Sequence, residues 1–265
     1  MLREIKAKAI LQKSKLPASP YCLNPYVGCS HNCCYCYARF MRRFTKHSEP
    51  WGGFVDAKIN APEVLARQLE RAPVNGPVLL GSVCDAYQPI EKHYKITRRC
   101  IKELVVHKIS FSVLTKSCLV LRDLDILSQS GNVVTVGISM STLDDSIRQK
   151  FEPGASSVQD RLNTLKELHA NGIRTYVFIG PILPLITDPK AIVEAVGPFV
   201  DEVWGEALNT RCGNRGDLVR TYKACKLSDE WQSLVRSEDY WSDMAHMIKK
   251  ACHKANCDLI GFYRH

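Results

Sequence analysis

The sequence predicts an α/β fold, a partial (β/α)6 TIM-like barrel, and three observations carry that expectation. Short apolar runs alternate with longer helical stretches, the pattern of parallel strands joined by crossover helices. The runs VLLGSV, VVTVGISM and TYVFIGP are almost continuously hydrophobic, as a sheet covered on both faces requires. Residues able to do chemistry, among them Cys84 and Asp85, Lys116 and Ser117, Ser139 and Ser141, Glu206 and Asn209, stand at the ends of these runs, where barrels of this kind place their sites.

In chain order the expected strands lie near Tyr26 to Gly28, then at Val78 to Cys84, Ile109 to Lys116, Val133 to Met140, Thr175 to Pro181 and Glu202 to Leu208, with Asp258 to Tyr263 as an added edge. Asn60 followed by Glu63, with Pro62 in the first turn, predicts a capped helix carrying Val64, Leu65 and Leu69. Val158, Leu162, Leu165 and Leu168 recur at helical spacing, and Gly172 is placed to end that helix. No repeat, low-complexity tract or linker interrupts the pattern. Residues 1–265 therefore read as one domain, with a cysteine-rich loop at about 24–40 and a C-terminal helical extension at about 215–265.

Hydrophobic content of 45% and charged content of 24% are those of a soluble globular protein. No apolar run approaches the roughly 20 residues of a spanning helix; the stretch Val177 to Ile186 is broken by Pro181 and Pro184. The N-terminus, MLREIKAKAILQKSK, is basic but lacks the apolar segment of a signal peptide. A cytoplasmic protein with no membrane partner is expected. Twelve cysteines without a regular framework point to reduced, metal-binding thiols in an oxygen-poor, anaerobic setting rather than to disulfides. The net charge of +9 permits an acidic partner such as nucleic acid. Its densest clusters are Arg39, Arg42, Arg43 and Lys46, and Lys92, Lys95, Arg98 and Arg99, which a solvated helix face explains equally well.

The most specific chemistry lies in NPYVGCSHNCCYCYARF, where Cys29, Cys33 and Cys36 have C-x3-C-x2-C spacing. Iron-sulfur clusters are normally held by four thiolates, so a loop offering three leaves one iron open, as catalytic metal sites do. Random placement of the cysteines would yield such a triplet about two times in a hundred, so the neighbours matter. Gly28 lets backbone approach a cluster, and a helical pattern follows at once. A zinc site is the alternative, with His31 or Cys34 as fourth ligand, although both stand so close to the triplet that the loop would strain. A second cluster on Cys212, Cys225, Cys252 and Cys257 is a further candidate, set against ordinary buried cysteine.

With Tyr35 preceding the third cysteine, the triplet resembles the motif of radical S-adenosylmethionine (SAM) enzymes. The wider sequence resembles their spore photoproduct lyase-like branch through NPYVGCSHNCCYCYAR, GSVCDAYQPIE, VLTKS, VGISMS, FEPG and GPILP, which together span about Asn24 to Asn209. The resemblance implies a radical SAM partial barrel and a 4Fe-4S cluster on Cys29, Cys33 and Cys36, whose open iron chelates the SAM amino and carboxylate groups. It also implies an external electron donor such as ferredoxin or flavodoxin, and cleavage of SAM to a 5'-deoxyadenosyl radical that abstracts hydrogen from a substrate. Lys116 and Ser139 match positions that contact the SAM carboxylate, a role an ammonium and a hydroxyl suit. Asp85 is expected near the SAM amino group, and Tyr35 and Ser141 are further cofactor-side candidates.

The sequence departs from the lyase at Ser82, which occupies the position of the lyase's hydrogen-donating cysteine, while Cys84 precedes Asp85. A serine O–H is too strong a bond to release a hydrogen atom readily. Cys84 and Tyr87 are therefore the candidate catalytic hydrogen donor and relay, each with a bland alternative as a buried cysteine or a packing aromatic. The substrate is unassigned, with lyase-like DNA repair or other nucleic-acid modification as one alternative. Trp231, Tyr240 and Trp241 among basic residues suit base stacking or a helix packed on a barrel. Two rivals from other classes are an iron-sulfur electron carrier, which would complete its cluster with four cysteines, and a zinc-dependent nucleic-acid-binding module.

Overall fold

The computed structural model describes residues 1–16 and 18–265. Its strands are β1 (Leu2–Ile5), β2 (Leu11–Leu16), β3 (Ser19–Leu23), β4 (Tyr26–Val27), β5 (Val55–Lys58), β6 (Val78–Leu80), β7 (Phe111–Thr115), β8 (Val134–Ser139), β9 (Arg174–Ile182), β10 (Glu202–Ala207) and β11 (Asp258–Tyr263). Among the described residues, eight form one curled sheet in the order β11-β10-β9-β8-β7-β6-β3-β2. Every neighbouring pair in it is parallel except β2 with β3. The other three make a small sheet, β1-β5-β4. The partial barrel is thus as expected, and the run Asp258 to Tyr263 does supply its edge.

Successive side chains of a strand point to opposite faces, and that alternation divides the sheet. Val113, Val136, Ile138, Val177 and Val203 are fully buried, each contributing roughly 1.5–3 kcal/mol to the core. Their neighbours Ser112, Leu114, Thr135, Phe178 and Trp204 line a cavity inside the curl. The helix Glu238–Ala255 covers part of the outer face, where a Cβ on Gly205 would lie 3.1 Å from Ile248.

The first barrel strand differs from the expected one. Tyr26 and Val27 pair with β5 in the small sheet, and β3 takes the barrel position, with Tyr21 opposite Val78. Pro20 disguises β3 in the sequence, because proline contributes no ladder donor and argues against a strand. The helix Ala61–Arg71 forms as expected, but Asn60 does not cap it. Its amide instead bonds the backbone of Ala7, accepting from N–H at 2.7 Å and donating to C=O at 3.0 Å, while Glu63 pairs with Arg99. The helix Val158–Ala170 starts on a Ser157 side-chain cap, and Gly172 follows its end at φ +71°.

The C-terminal extension contains the helices Arg215–Ala224, Trp231–Leu234 and Glu238–Ala255 before β11. Trp231 is buried and stacks on Tyr222 at 4.5 Å, and Trp241 is buried with its indole N–H bonded to Val235 C=O. These rings pack the core and do not offer base-stacking surfaces. Among the described residues, no helix is long and apolar enough to cross a membrane.

Candidate functional site

Cys29, Cys33 and Cys36 line the cavity, which has a volume of about 600 Å³ and extends to the C-terminal ends of the strands, within the range of small-molecule sites. The chain shapes this loop from several directions. Gly28, at φ +85°, lies so close to Phe54 that a Cβ would come within 2.4 Å of its carbonyl oxygen. The buried amide of Gln88 accepts from Ser30 N–H at 2.9 Å and donates to Gly28 C=O at 3.2 Å. The FEPG turn docks against the loop, with Cys34 N–H donating to Phe151 C=O at 2.9 Å and Gly154 N–H to His31 C=O at 3.0 Å. A Cβ on Gly154 would stand 2.3 Å from Ser30 C=O. Arg39 closes the far side by donating to the carbonyls of Cys34 and Cys36.

The donor set suits an iron-sulfur cluster. Among the described residues, no three His, Cys, Asp or Glu side chains converge as one metal ion requires. A cubane asks for something different, since its thiolates are spread over several irons, and three free thiols facing one cavity provide that. Burial pushes all three thiol pKa values up, and the nearby Lys116 charge pulls those of Cys33 and Cys36 partly back. Iron would displace the protons on binding. Cys34 does not line the cavity, and His31 lines it with Nδ1 3.2 Å from Asp85.

At the strand ends, Lys116 Nζ donates to Ser139 Oγ at 2.8 Å, and that hydroxyl donates to Gly180 C=O at 3.0 Å. Lys116 lies 5.7 Å from the centre of the Tyr35 ring and makes no ion pair among the described residues. The Tyr35 hydroxyl donates to Glu152, which pairs with Arg161; Arg161 in turn donates to Ser139 C=O at 3.0 Å. Burial pushes the Glu152 carboxyl up, but Arg161 and Lys116 outweigh it and hold the pKa below the usual value. Neither Glu152 nor Arg161 stands out as a site residue in the sequence. Arg161 occupies the apolar face traced by Val158, Leu165 and Leu168, which was the available signal.

Asp85 is committed to protein donors. It accepts from Lys116 N–H at 2.8 Å, the Thr115 hydroxyl at 2.7 Å and Tyr87 N–H at 2.8 Å, with His31 alongside. Burial pushes its pKa up, but the His31 charge and these hydrogen bonds prevail and lower it to about 2. Cys84 lines the cavity, 3.7 Å from Asn24 Oδ1, and burial pushes its pKa up to about 12. Ser82 also lines it, with its hydroxyl held by Asn24 at 2.9 Å.

Three expectations are redirected by placement. Tyr87 does not line the cavity; its hydroxyl donates to Asp123 in a separate buried network. Ser141 is buried with an unpartnered hydroxyl and also does not line the cavity. Cys212, Cys225, Cys252 and Cys257 do not converge: Cys212 lies 4.0 Å from Cys36 C=O, whereas Cys257 lies 3.8 Å from Cys252 C=O at the end of another helix. Conversely, Tyr37 lines the cavity and donates to Ser82 C=O; its place directly after Cys36 was the only signal for it.

The family model for the radical SAM superfamily matches residues 23–194. An uncharacterized protein of Methanocaldococcus jannaschii is 36% identical over 208 residues, covering 78% of either chain. A mutant of spore photoproduct lyase superposes with a TM-score of 0.75 at 16% identity, over 99% of this chain and 82% of that one, a likeness of fold. Another structure of that lyase, with bound AdoMet and dinucleoside spore photoproduct, gives a TM-score of 0.71 at 16% identity over the same shares.

Proposed function

This chain belongs to the radical SAM superfamily, and from that premise we propose that it cleaves SAM reductively and uses the product radical to abstract hydrogen from a substrate held in the cavity. Cys29, Cys33 and Cys36 would hold the 4Fe-4S cluster, and Lys116 with Ser139 would receive the SAM carboxylate. When bound there, the cluster would supply the single electron needed for reductive cleavage of SAM to methionine and a 5'-deoxyadenosyl radical.

The observation that carries this reading is the position of Lys116. An ammonium lining the same cavity as three thiols, with a hydroxyl as its hydrogen-bond partner and no carboxylate ion pair among the described residues, is a ready partner for an anionic group. The nearby Glu152 is already paired with Arg161. Ser139 orients the ammonium, while Asp85 grips the backbone N–H of Lys116. Leu114, Phe178 and Trp204 supply apolar walls that exclude water from a reactive intermediate.

Cys84 is the group suited to returning a hydrogen atom. With its pKa pushed up to about 12 by burial, it keeps its S–H at neutral pH. Ser82 stands where the resemblance places the lyase's donor, and a hydroxyl cannot take that role. The electron would come from a ferredoxin or flavodoxin, and twelve free thiols suit a reducing, oxygen-poor cytoplasm. The test is anaerobic reconstitution with iron and sulfide, followed by SAM and dithionite, with 5'-deoxyadenosine measured by mass spectrometry. Product is expected from wild type and not from Cys33→Ala; well-loaded wild type that makes none would sink the proposal.

A further inference from the structure

The 3-10 helix Tyr37–Phe44 begins at the residue after Cys36 and has two unlike faces. Ala38, on its inner face, packs with Cys29, Trp51 and Phe54 into a small apolar cluster, against which Cys36 and Met41 also rest. The outer face exposes Phe40 (38%) and Phe44 (67%), set edge to face at 6.5 Å. The Arg43 guanidinium lies over both rings, at 5.6 and 4.8 Å. The helix carries no acidic residue, and Lys46 follows it. Arg39 is taken up by Asp217, whereas Arg42, Arg43 and Lys46 are exposed, and Arg42 keeps its charge although it donates to Ser48 C=O; these three cations can meet a partner. Two exposed phenylalanines bracketing a cation contribute little to the core, and exposed aromatic surface of this kind marks an interaction site.

We propose that this face is the docking surface for an acidic electron-carrier protein that reduces the cluster, an inference that rests on the cluster reading above. The electron must enter from outside the chain, and the packed side chains of this one helix separate Cys29 and Cys36 from the patch. An apolar centre with a basic rim fits a small, transient, electrostatically steered encounter. One electron leaves the carrier, which is oxidised by one equivalent, and enters the cluster, which is reduced by one; no bond forms or breaks at the surface. A nucleic-acid strand would instead be met by a longer track of unpaired cations following its phosphates.

The test compares cluster-loaded wild type, Arg43→Glu, Phe44→Ala and the conservative Arg43→Lys under anaerobic stopped flow. Loss of the visible cluster absorbance is followed with either flavodoxin hydroquinone or dithionite as donor. Flavodoxin-driven reduction should slow about tenfold in Arg43→Glu, with weaker salt dependence, while Arg43→Lys stays near wild type and dithionite-driven reduction is unchanged. Affinity for oxidised flavodoxin, which requires no turnover, should fall in parallel. Unchanged flavodoxin rates overturn the proposal. So does equal slowing with both donors, because the helix would then act on the cluster itself, and so does loss of single-stranded oligonucleotide binding with flavodoxin reduction intact. Wild type that takes up no cluster removes the underlying reading and this proposal with it; flavodoxin affinity measured separately distinguishes that failure from a failure of docking alone.

Discussion

Two buried ionic networks in this protein are built alike and differ in how they stand to the cavity. In one, Glu91 accepts from the Tyr26 hydroxyl and pairs with Arg122, while Asp123 accepts from Tyr87, Arg98 and Arg122. Both guanidiniums there are paired with carboxylates, Arg98 also with the exposed Asp125, and none of the three carboxylates lines the cavity. In the other, Tyr35 donates to Glu152, which Arg161 neutralises, and Lys116 adds a cation at the cavity wall with no ion-pair partner among the described residues. Burying paired charge stabilises little by itself and is ruinous to half-undo. Buried charge therefore does not identify a site; a surplus cation facing a cavity does.

The largest test strikes one carboxylate in each network. Glu91→Gln and Glu152→Gln should each cost about 3–5 kcal/mol of folding stability by chemical denaturation. SAM affinity of the cluster-loaded protein should change only in Glu152→Gln, and a comparable change in Glu91→Gln would break the distinction. Lys116→Met should leave stability nearly unaltered yet weaken SAM binding about 10- to 100-fold, the worth of a charge-assisted hydrogen bond. If calorimetry finds SAM affinity intact, the surplus cation has another purpose.

Asp85 touches both sides, through Tyr87 N–H and through Thr115 and Lys116, and it sharpens the comparison by pH. Its pKa is lowered from 3.8 to about 2 in the folded protein, so its contribution is present above about pH 4 and is lost as pH falls through about 2. That contribution is about 2 kcal/mol. Asp85→Asn should be less stable than wild type by this amount at pH 7, with the gap narrowing on acidification; a gap that is constant down to pH 2 would contradict the ionic origin. Ser139→Ala carries the smallest expected effect, about a fivefold loss of SAM affinity, because a single neutral hydrogen bond is worth about 1 kcal/mol.

Much of this was legible in the residues. β6 to β10 emerge from apolar runs whose continuity reports burial on both faces, and Cys29, Cys33 and Cys36 share one short loop whose spacing is itself the signal. Lys116 and Ser139 could be placed at strand ends because neighbouring strands end together. Other features were hidden for identifiable reasons. Pro20 masked β3, and the side chain of Asn60 abandoned a local cap for a backbone partner more than 50 residues away. Tyr87 reads as a site aromatic in GSVCDAYQPIE, but its ring direction follows from Asp123 and the Arg122 guanidinium over its face.

The sequence by itself determined the strand and helix pattern, the thiol triplet and the excess of positive charge, since each depends on composition or on periodicity within about ten residues. Only the tertiary structure decided that Tyr35 meets Glu152 across 117 residues, that Arg161 neutralises that carboxylate, and that Lys116 faces the cavity without an ion-pair partner among the described residues. Which buried charges pair is settled by distance and desolvation after the sheet has curled, and neither quantity is written in the order of the residues.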